Sequence, residues 1–403
     1  MNRLKPPNLE QAIGIECYKT QTNGIGGRIK QNIEDFIVEE ITPEGIVLEA
    51  GKQSVKNLSE KPGLFVHCTL EKKNWDTMRA VKEIARRLGT SQKRVGYAGT
   101  KDKKAITTQR ISIERVSIED LKNISIKDIT LRDFNYADDN IGLGCLVGNR
   151  FTIMIRSVAL DDGEIKTMVD EISQSLASGF PNFFGVQRFG TTRPITHLVG
   201  REILRGDFEE AVLIYLAKVF EGENNESLEA RRILSETKDF KDALKRFPKH
   251  LNYEVSMLNH LASNPEDYRG ALRILPDGLK KMFVHAYQSY IFNKSLSKYI
   301  ERDLVVERLP LAGFESQLDE FTEKILAEEG VSMEDFRVKG FSQLGSKGEL
   351  RDCFECMQDF KLAGIDKDEL NEGKNKVALT FSLRPGVYAT TLLREYMKNE
   401  YWL

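Results

Sequence analysis

Cysteine is scarce in this chain: five residues in 403, an odd number spread from Cys17 to Cys356. Such a set excludes a disulfide framework and points to reduced thiols. Cys353-Phe-Glu-Cys356 has no second pair to complete a zinc site, and the five histidines (67, 197, 250, 260 and 285) are too scattered to supply one. No metal is expected. Long hydrophobic runs are missing as well; nothing approaches the roughly 20 apolar residues that a membrane-spanning helix requires. The first ten residues carry Pro6 and Pro7 in place of an apolar segment, which predicts a cytoplasmic protein. Excess charge of one sign is also absent, the formal net charge being −2. The chain has neither a GxxxxGKS/T phosphate loop nor a GxSxG elbow. Gly142-Leu-Gly144-Cys-Leu-Val-Gly148 runs into a strand where a dinucleotide fingerprint must open a helix.

What is present is ordinary in bulk and uneven in detail. With 40% hydrophobic and 30% charged residues, the chain is long enough for two or three globular domains. Between Lys82 and Arg110, however, nine lysines and arginines face only Glu83 and Asp102. A basic patch of this kind suits a phosphate-rich partner. A solvated helix face explains Arg86 and Arg87 well and the 93–110 stretch less well. Within that stretch lies Gly96-Tyr-Ala-Gly-Thr-Lys-Asp102-Lys-Lys-Ala-Ile-Thr-Thr-Gln-Arg110, with one carboxylate among three lysines. Glycines at 96 and 99 predict a tight turn that presents Asp102 to a ligand. Flanking cations favour the ionised acid, which suits a nucleophile or an anchor and not a proton donor. On charge and glycine content alone, a solvated, charged loop is the readier description.

Periodicity places these segments on a coarse frame. Extended, β-branched runs are read at Arg28–Glu40, Pro62–Leu70, Thr107–Glu114, Arg132–Ala137 and Arg150–Val158. Asn74 is the expected cap of a helix with Trp75, Met78, Val81, Ile84, Ala85 and Leu88 on one face and Gly89 as its stop. A second helix turns Ile165, Met168, Val169, Ile172 and Leu176 inward and ends at Gly179. From about 195 the pattern is helical, at 207–220, 227–235, 265–275 and 278–300. The strand-like run Lys376–Arg384 returns late and is expected to complete the N-terminal sheet, which makes the helical block an insertion.

A second informative stretch is Gly179-Phe-Pro-Asn182-Phe-Phe184-Gly-Val-Gln-Arg188-Phe-Gly190-Thr. Four phenylalanines interleaved with Asn, Gln and Arg suit a pocket that stacks a base and bonds its edge. Core packing is the expectation for Phe180 and Phe189, and a functional role for Asn182 and Phe184. His67, His197 and His285 are expected to pack or bond locally.

Together these motifs resemble the TruD family of pseudouridine synthases. The pattern runs from Lys30 with Asp35-Phe36-Ile-Val-Glu39, through Tyr97–Lys103 with Ala105, Thr107 and Gln109, to Leu143-Gly144 with Gly148–Phe151. It continues at Pro181–Gly185 with Gln187–Gly190, at Ala286–Asn293, and at Leu383–Thr390 with Leu393-Arg394-Glu395. One departure is Phe183, where many relatives carry Tyr. The stretches from about 201 to 282 and from 301 to 375 match poorly.

The resemblance implies an α+β pseudouridine synthase fold, with a central, mainly antiparallel sheet and a cleft, interrupted by a mostly helical insertion. On this reading residues 1–195 and 351–403 form the catalytic domain and 196–350 the insertion. It implies cofactor-free isomerisation of uridine to pseudouridine, commonly at position 13 of tRNA. It assigns the catalytic carboxylate to Asp102, a basic partner to Lys30, and pocket roles to Asn182 and Phe184; Arg188 on the same segment is counted with the substrate-binding residues. The expected partner is tRNA, with no membrane and no metal, and a monomer is favoured. The alternative is an RNA-binding protein without catalysis. A metal-dependent nuclease needs clustered acids, whereas Asp102 has cationic neighbours.

Overall fold

The structure is a computed structural model and describes residues 4–53, 62–220 and 222–399. The chain divides into two compact units, one of Thr22–Phe180 with Cys356–Leu403 and the other of Met1–Gln21 with Pro181–Glu355.

The first unit is built on an eight-stranded sheet. Its strands are β1 (Phe36–Ile41), β2 (Phe65–Lys73), β3 (Val95–Tyr97), β4 (Ile106–Glu114), β5 (Ile129–Ala137), β6 (Gly148–Val158), β7 (Gln358–Lys367) and β8 (Asn375–Leu383). The order across the sheet is β7-β8-β6-β1-β4-β2-β5, and β3 pairs with β4. The late strand does complete the N-terminal sheet: β8 runs antiparallel to β6 from Val377 opposite Ile155 to Leu383 opposite Asn149. β1 pairs in parallel with β4 at Ile37–Glu39 and Ile106–Thr108, while β3 pairs antiparallel with β4 at Ile111–Ile113. One strand therefore carries β1 near its start and β3 further along, and the chain between β3 and β4 emerges at this junction.

Alternation decides which residues face inward. One core gathers Phe36, Val38, Ile153, Ile155, Leu379 and Phe381 against the helix Asp162–Ser175 and the terminal helix Ala389–Met397. The other gathers Val66, Cys68, Leu70, Ile111 and Ile113 against the helix Thr77–Arg87. A buried arginine ties sheet to loop: Arg156 lies 2.7 Å from Asp35 and 2.9 Å from Asp368.

Several expectations change in detail. The cap of the helix Thr77–Arg87 is Asp76, whose carboxylate accepts from the Arg79 amide at 3.1 Å; Asn74 sits at φ 58 in the link before it. Met78 is exposed, and Ala80 takes its inward place. The extended run 28–40 yields a strand only from Phe36, because Ile33–Asp35 form a 3-10 turn capped by Asn32. β3 and β7 were not read; β3 is three residues long, and β7 is an edge strand with little buried side chain.

The second unit is mainly helical. The helices expected around 207–220, 227–235, 265–275 and 278–300 are found at Phe208–Ala217, Asn225–Thr237, Tyr268–Ile274 and Asp277–Glu301. Thr196–Arg205, Phe240–Arg246, Asn252–Ser263 and Glu320–Glu328 add to them, and an antiparallel ribbon joins Arg308–Leu311 to Glu349–Asp352. The 25-residue helix Asp277–Glu301 supplies Phe283, Val284, Tyr287 and Ile291 to the core of this unit.

Candidate active site

In the sheet unit, Asp102 stands on the irregular segment 98–105 between β3 and β4. The backbone of this segment is held from the buried side. Gln109 on β4 donates from Nε2 to the carbonyl of Gly99 at 3.0 Å, and Gly144 donates its amide to the carbonyl of Ala98 at 2.8 Å. Lys101 turns inward and pairs with Glu40 at 2.7 Å, both side chains being almost fully buried. The other oxygen of Glu40 accepts from the Arg110 amide at 2.9 Å, so this carboxylate anchors two strands and the loop. Asp102 turns outward: 41% of its side chain is exposed, and Oδ2 lies 3.5 Å from the Nζ of Lys30. Lys30 is 13% exposed, and its ammonium sits 4.0 Å from the centroid of the Phe36 ring, which holds it beside the acid by a cation–π contact.

The glycines act differently from the expected tight turn. Gly96 lies within β3, where a Cβ would come 2.1 Å from Asn140 Oδ1 and 2.4 Å from the carbonyl of Ile141. Close packing accounts for this glycine, and turn geometry does not. Gly99 has open space around it and no positive φ. The cations of the patch also divide. Lys101 is buried in its pair, Arg110 meets Glu44 at 3.0 Å, and Arg86 and Arg87 meet Glu83 at 2.6 and 3.0 Å. Lys93, Arg94, Lys103 and Lys104 are exposed, and they form no ion pair among the described residues.

The other candidate residues lie in the helical unit. Asn182 is buried and fully used: its Nδ2 donates to the carbonyl of Asp352 at 2.9 Å, and its Oδ1 accepts from Arg351 at 2.6 Å. Arg351 then lies over Phe184, guanidinium carbon to ring centroid 4.1 Å. Phe184 is only 6% exposed and meets Phe292 edge-on at 5.6 Å. Asn293 clasps the backbone of Phe184, accepting from its amide at 2.9 Å and donating to its carbonyl at 3.0 Å. Arg188 donates from Nε to Ser289 at 3.3 Å and stands 5.7 Å from the Phe184 centroid. A cavity of about 400 Å³ opens beside it, lined also by His285, Gln288, Leu311 and Ser346. The Gln288–Asn293 part of the long helix thus frames one face of this cluster, and Arg351, on a ribbon strand, was missed by sequence reasoning. Nothing in the sequence distinguishes it from other surface arginines. Phe180, Phe183 and Phe189 are core residues with no exposed surface. His197 packs between Phe189 and Tyr290, and burial pushes it down to about 3, so it stays neutral.

Structure thus pairs Lys30 with Asp102 in one unit and groups Asn182, Phe184 and Arg188 in the other. Among the described residues, no group of three or more His, Cys, Asp or Glu side chains could hold a metal ion. No helix among them is long and apolar enough to cross a membrane.

The sequence profile described as tRNA pseudouridine synthase D (TruD) matches residues 12–311 and 305–396. A Methanosarcina acetivorans protein named "Probable tRNA pseudouridine synthase D" is 39% identical, over 99% of this chain and 98% of its own. One of the same name from Archaeoglobus fulgidus is 37% identical, over 97% of this chain and all of its own. A TruD crystal structure from Methanosarcina mazei superposes with a TM-score of 0.82 at 37% identity, covering 98% of both chains. The chain belongs to the TruD family.

Proposed function

We propose that this protein isomerises uridine to pseudouridine in tRNA, at position 13, with Asp102 as the catalytic carboxylate. The observation that carries this reading is the placement of Asp102: an exposed carboxylate on a loop anchored from beneath, with an ammonium 3.5 Å away. The reaction breaks the N1–C1′ bond of uridine, turns the base and forms a C5–C1′ bond, and C5 gives up a proton while N1 takes one up. Uracil leaves and returns within one site, so atoms and electrons balance with no cofactor. An ionised carboxylate serves either route to bond cleavage, attack on C1′ or removal of a ribose proton to give a glycal. Lys30 sets an opposite charge 3.5 Å from that carboxylate, an attraction that strengthens when the substrate excludes water. A paired uridine has to be flipped out of its stack first, at a cost of a few kcal/mol. Phe184 is assigned to stacking on the uracil, Arg188 to the RNA, and Asn182 to holding Arg351 against Phe184.

The wider reading is a cytoplasmic monomer that takes tRNA as its partner, without membrane or metal. Residues 1–195 and 351–403 would be the catalytic domain and 196–350 the family insertion. Incubating unmodified tRNA with the purified protein and mapping pseudouridine nucleotide by nucleotide tests the function. A single new pseudouridine at position 13 is expected, and binding with no pseudouridine would leave only an RNA-binding protein.

A further inference from the structure

Lys72 occupies a core position. The alternation of β2 sends Val66, Cys68, Leu70 and Lys72 to the buried side, and Lys72 has no exposed surface. Its Nζ donates to three main-chain carbonyls: Trp75 at 2.7 Å, Asp102 at 2.8 Å and Lys101 at 3.3 Å. An ammonium has three hydrogens and no acceptor, so the three carbonyls satisfy it. Thr77, at the start of the next helix and equally buried, accepts the amide of Lys101 on its Oγ1 at 3.0 Å. The same hydroxyl lies 3.3 Å from Gln109 Oε1 and 3.4 Å from the Lys101 carbonyl.

We infer that Lys72 and Thr77 form a bracket that aims Asp102, and that both are positioning residues for the reaction proposed above, on which this inference rests. The peptide units on either side of the Asp102 α-carbon are each planar, so fixing the carbonyl of both fixes the direction in which the Asp102 side chain leaves the backbone. Thr77 holds the amide of Lys101, and Lys72 holds the carbonyls on either side of the Asp102 nitrogen and α-carbon. A methionine of similar length would fill the same core space with no charge to desolvate. What it lacks is the ability to tie three carbonyls from two chain segments to one point. That desolvation is visible in Lys72 itself: burial pushes its ammonium down to about 8, against the pull of the Asp102 and Asp76 charges.

The test compares Lys72→Met, Thr77→Val and Thr77→Ser in single-turnover conversion of tRNA, with tRNA Kd measured separately and rates normalised to folded protein by circular dichroism. Valine keeps the branched shape of threonine and loses the hydroxyl, whereas serine keeps the hydroxyl. A bracket predicts that Lys72→Met and Thr77→Val slow conversion by about 10- to 100-fold, since a small misplacement of a reacting group costs up to about that much. Kd should stay within about twofold, because neither side chain reaches solvent, and Thr77→Ser should recover most of the rate. The double variant should be less than additive, since both residues hold consecutive peptide units of the same short segment. If Lys72→Met does not fold, the two Thr77 variants decide. A wild-type rate for Thr77→Val, or a defect confined to tRNA affinity, would overturn the bracket. Asp102→Asn run alongside separates the two readings: an active Asp102→Asn removes the role of Asp102, and an inactive one beside a fully active Thr77→Val removes only the bracket.

Discussion

At the scale of single residues, polar groups here are mostly committed to one another. Asn182 spends its amide on Arg351 and on the Asp352 carbonyl, so its contribution passes through the guanidinium that covers Phe184. A base stacking on Phe184 must share that ring with Arg351 or displace it. Because Phe184 is 6% exposed, truncation to Ala would cost about 3–5 kcal/mol of stability and confuse the reading of activity. Phe184→Leu is the better probe. It retains apolar volume and loses the flat face, and the account expects a fall in turnover of roughly 5- to 100-fold, the equivalent of about 1–3 kcal/mol of stacking. Its melting temperature should move by only a few degrees; a large drop in melting temperature with normal turnover of the folded fraction would make Phe184 a core residue and no more. His197 makes a separate prediction. Its pKa falls from 6.5 to about 3 on folding, so it binds a proton more readily in the unfolded chain. Stability therefore rises with pH between about 3 and 6.5 and is lost on acidification through that window. Urea melts at pH 7 and pH 5 should differ by about 2 kcal/mol less in His197→Gln than in the native protein. An unchanged difference would mean that His197 titrates alike in the folded and unfolded chain.

At the scale of elements, the loop 98–105 is shaped by what lies beneath it more than by its own sequence. Gly96 and Gly99 give the clearest contrast. A methyl group at 96 meets Asn140 and Ile141, whereas one at 99 meets nothing. Gly96→Ala is expected to destabilise by about 1–3 kcal/mol through overpacking. Gly99→Ala should fold and melt like the native chain, and equal melting temperatures for both variants would contradict this geometry. Both glycines look alike in the sequence, because a close approach made by Asn140 and Ile141 from a distant loop leaves no local trace. The same limit hid Lys72, which reads as one more charge in Glu71-Lys72-Lys73 unless the strand is continued past Leu70 and its alternation followed. By contrast, β6, β8 and the helix Asp162–Ser175 were legible because their apolar periodicity is long. The return of β8 to the sheet followed from the absence of any other strand signal late in the chain, although β7 directly precedes β8 and pairs with it. Edge strand β7 and the ribbon strand Glu349–Asp352 carry too little buried side chain to show a period, and Arg308–Leu311, though mostly buried, is too short to show one. Asp102 is singled out in the sequence by the family resemblance more than by its cationic setting, which a solvated loop shares, and Arg351 is not, since only the fold brings it to Asn182.

At the scale of the whole molecule, a net charge of −2 hides a basic surface around the loop of Asp102. Once Lys101, Arg86, Arg87 and Arg110 are set against their acids, the exposed cations left for an RNA backbone include Lys93, Arg94 and Lys104. Replacing these three with Gln should weaken tRNA binding and reduce the slope of log K against log salt by roughly 2–3, about one for each phosphate no longer neutralised. An unchanged slope would move the RNA surface elsewhere. We propose that Asp102 does chemistry and that its loop exists to hold it. Asp102→Asn preserves size and removes the charge, so the chain should fold, melt within a few degrees of the native protein and still bind tRNA. The most direct measurement is tritium release from tRNA labelled at uridine C5, because forming the new carbon–carbon bond expels that hydrogen. No release above background is expected from Asp102→Asn under conditions where the native enzyme reaches completion. Release at the native rate would contradict it.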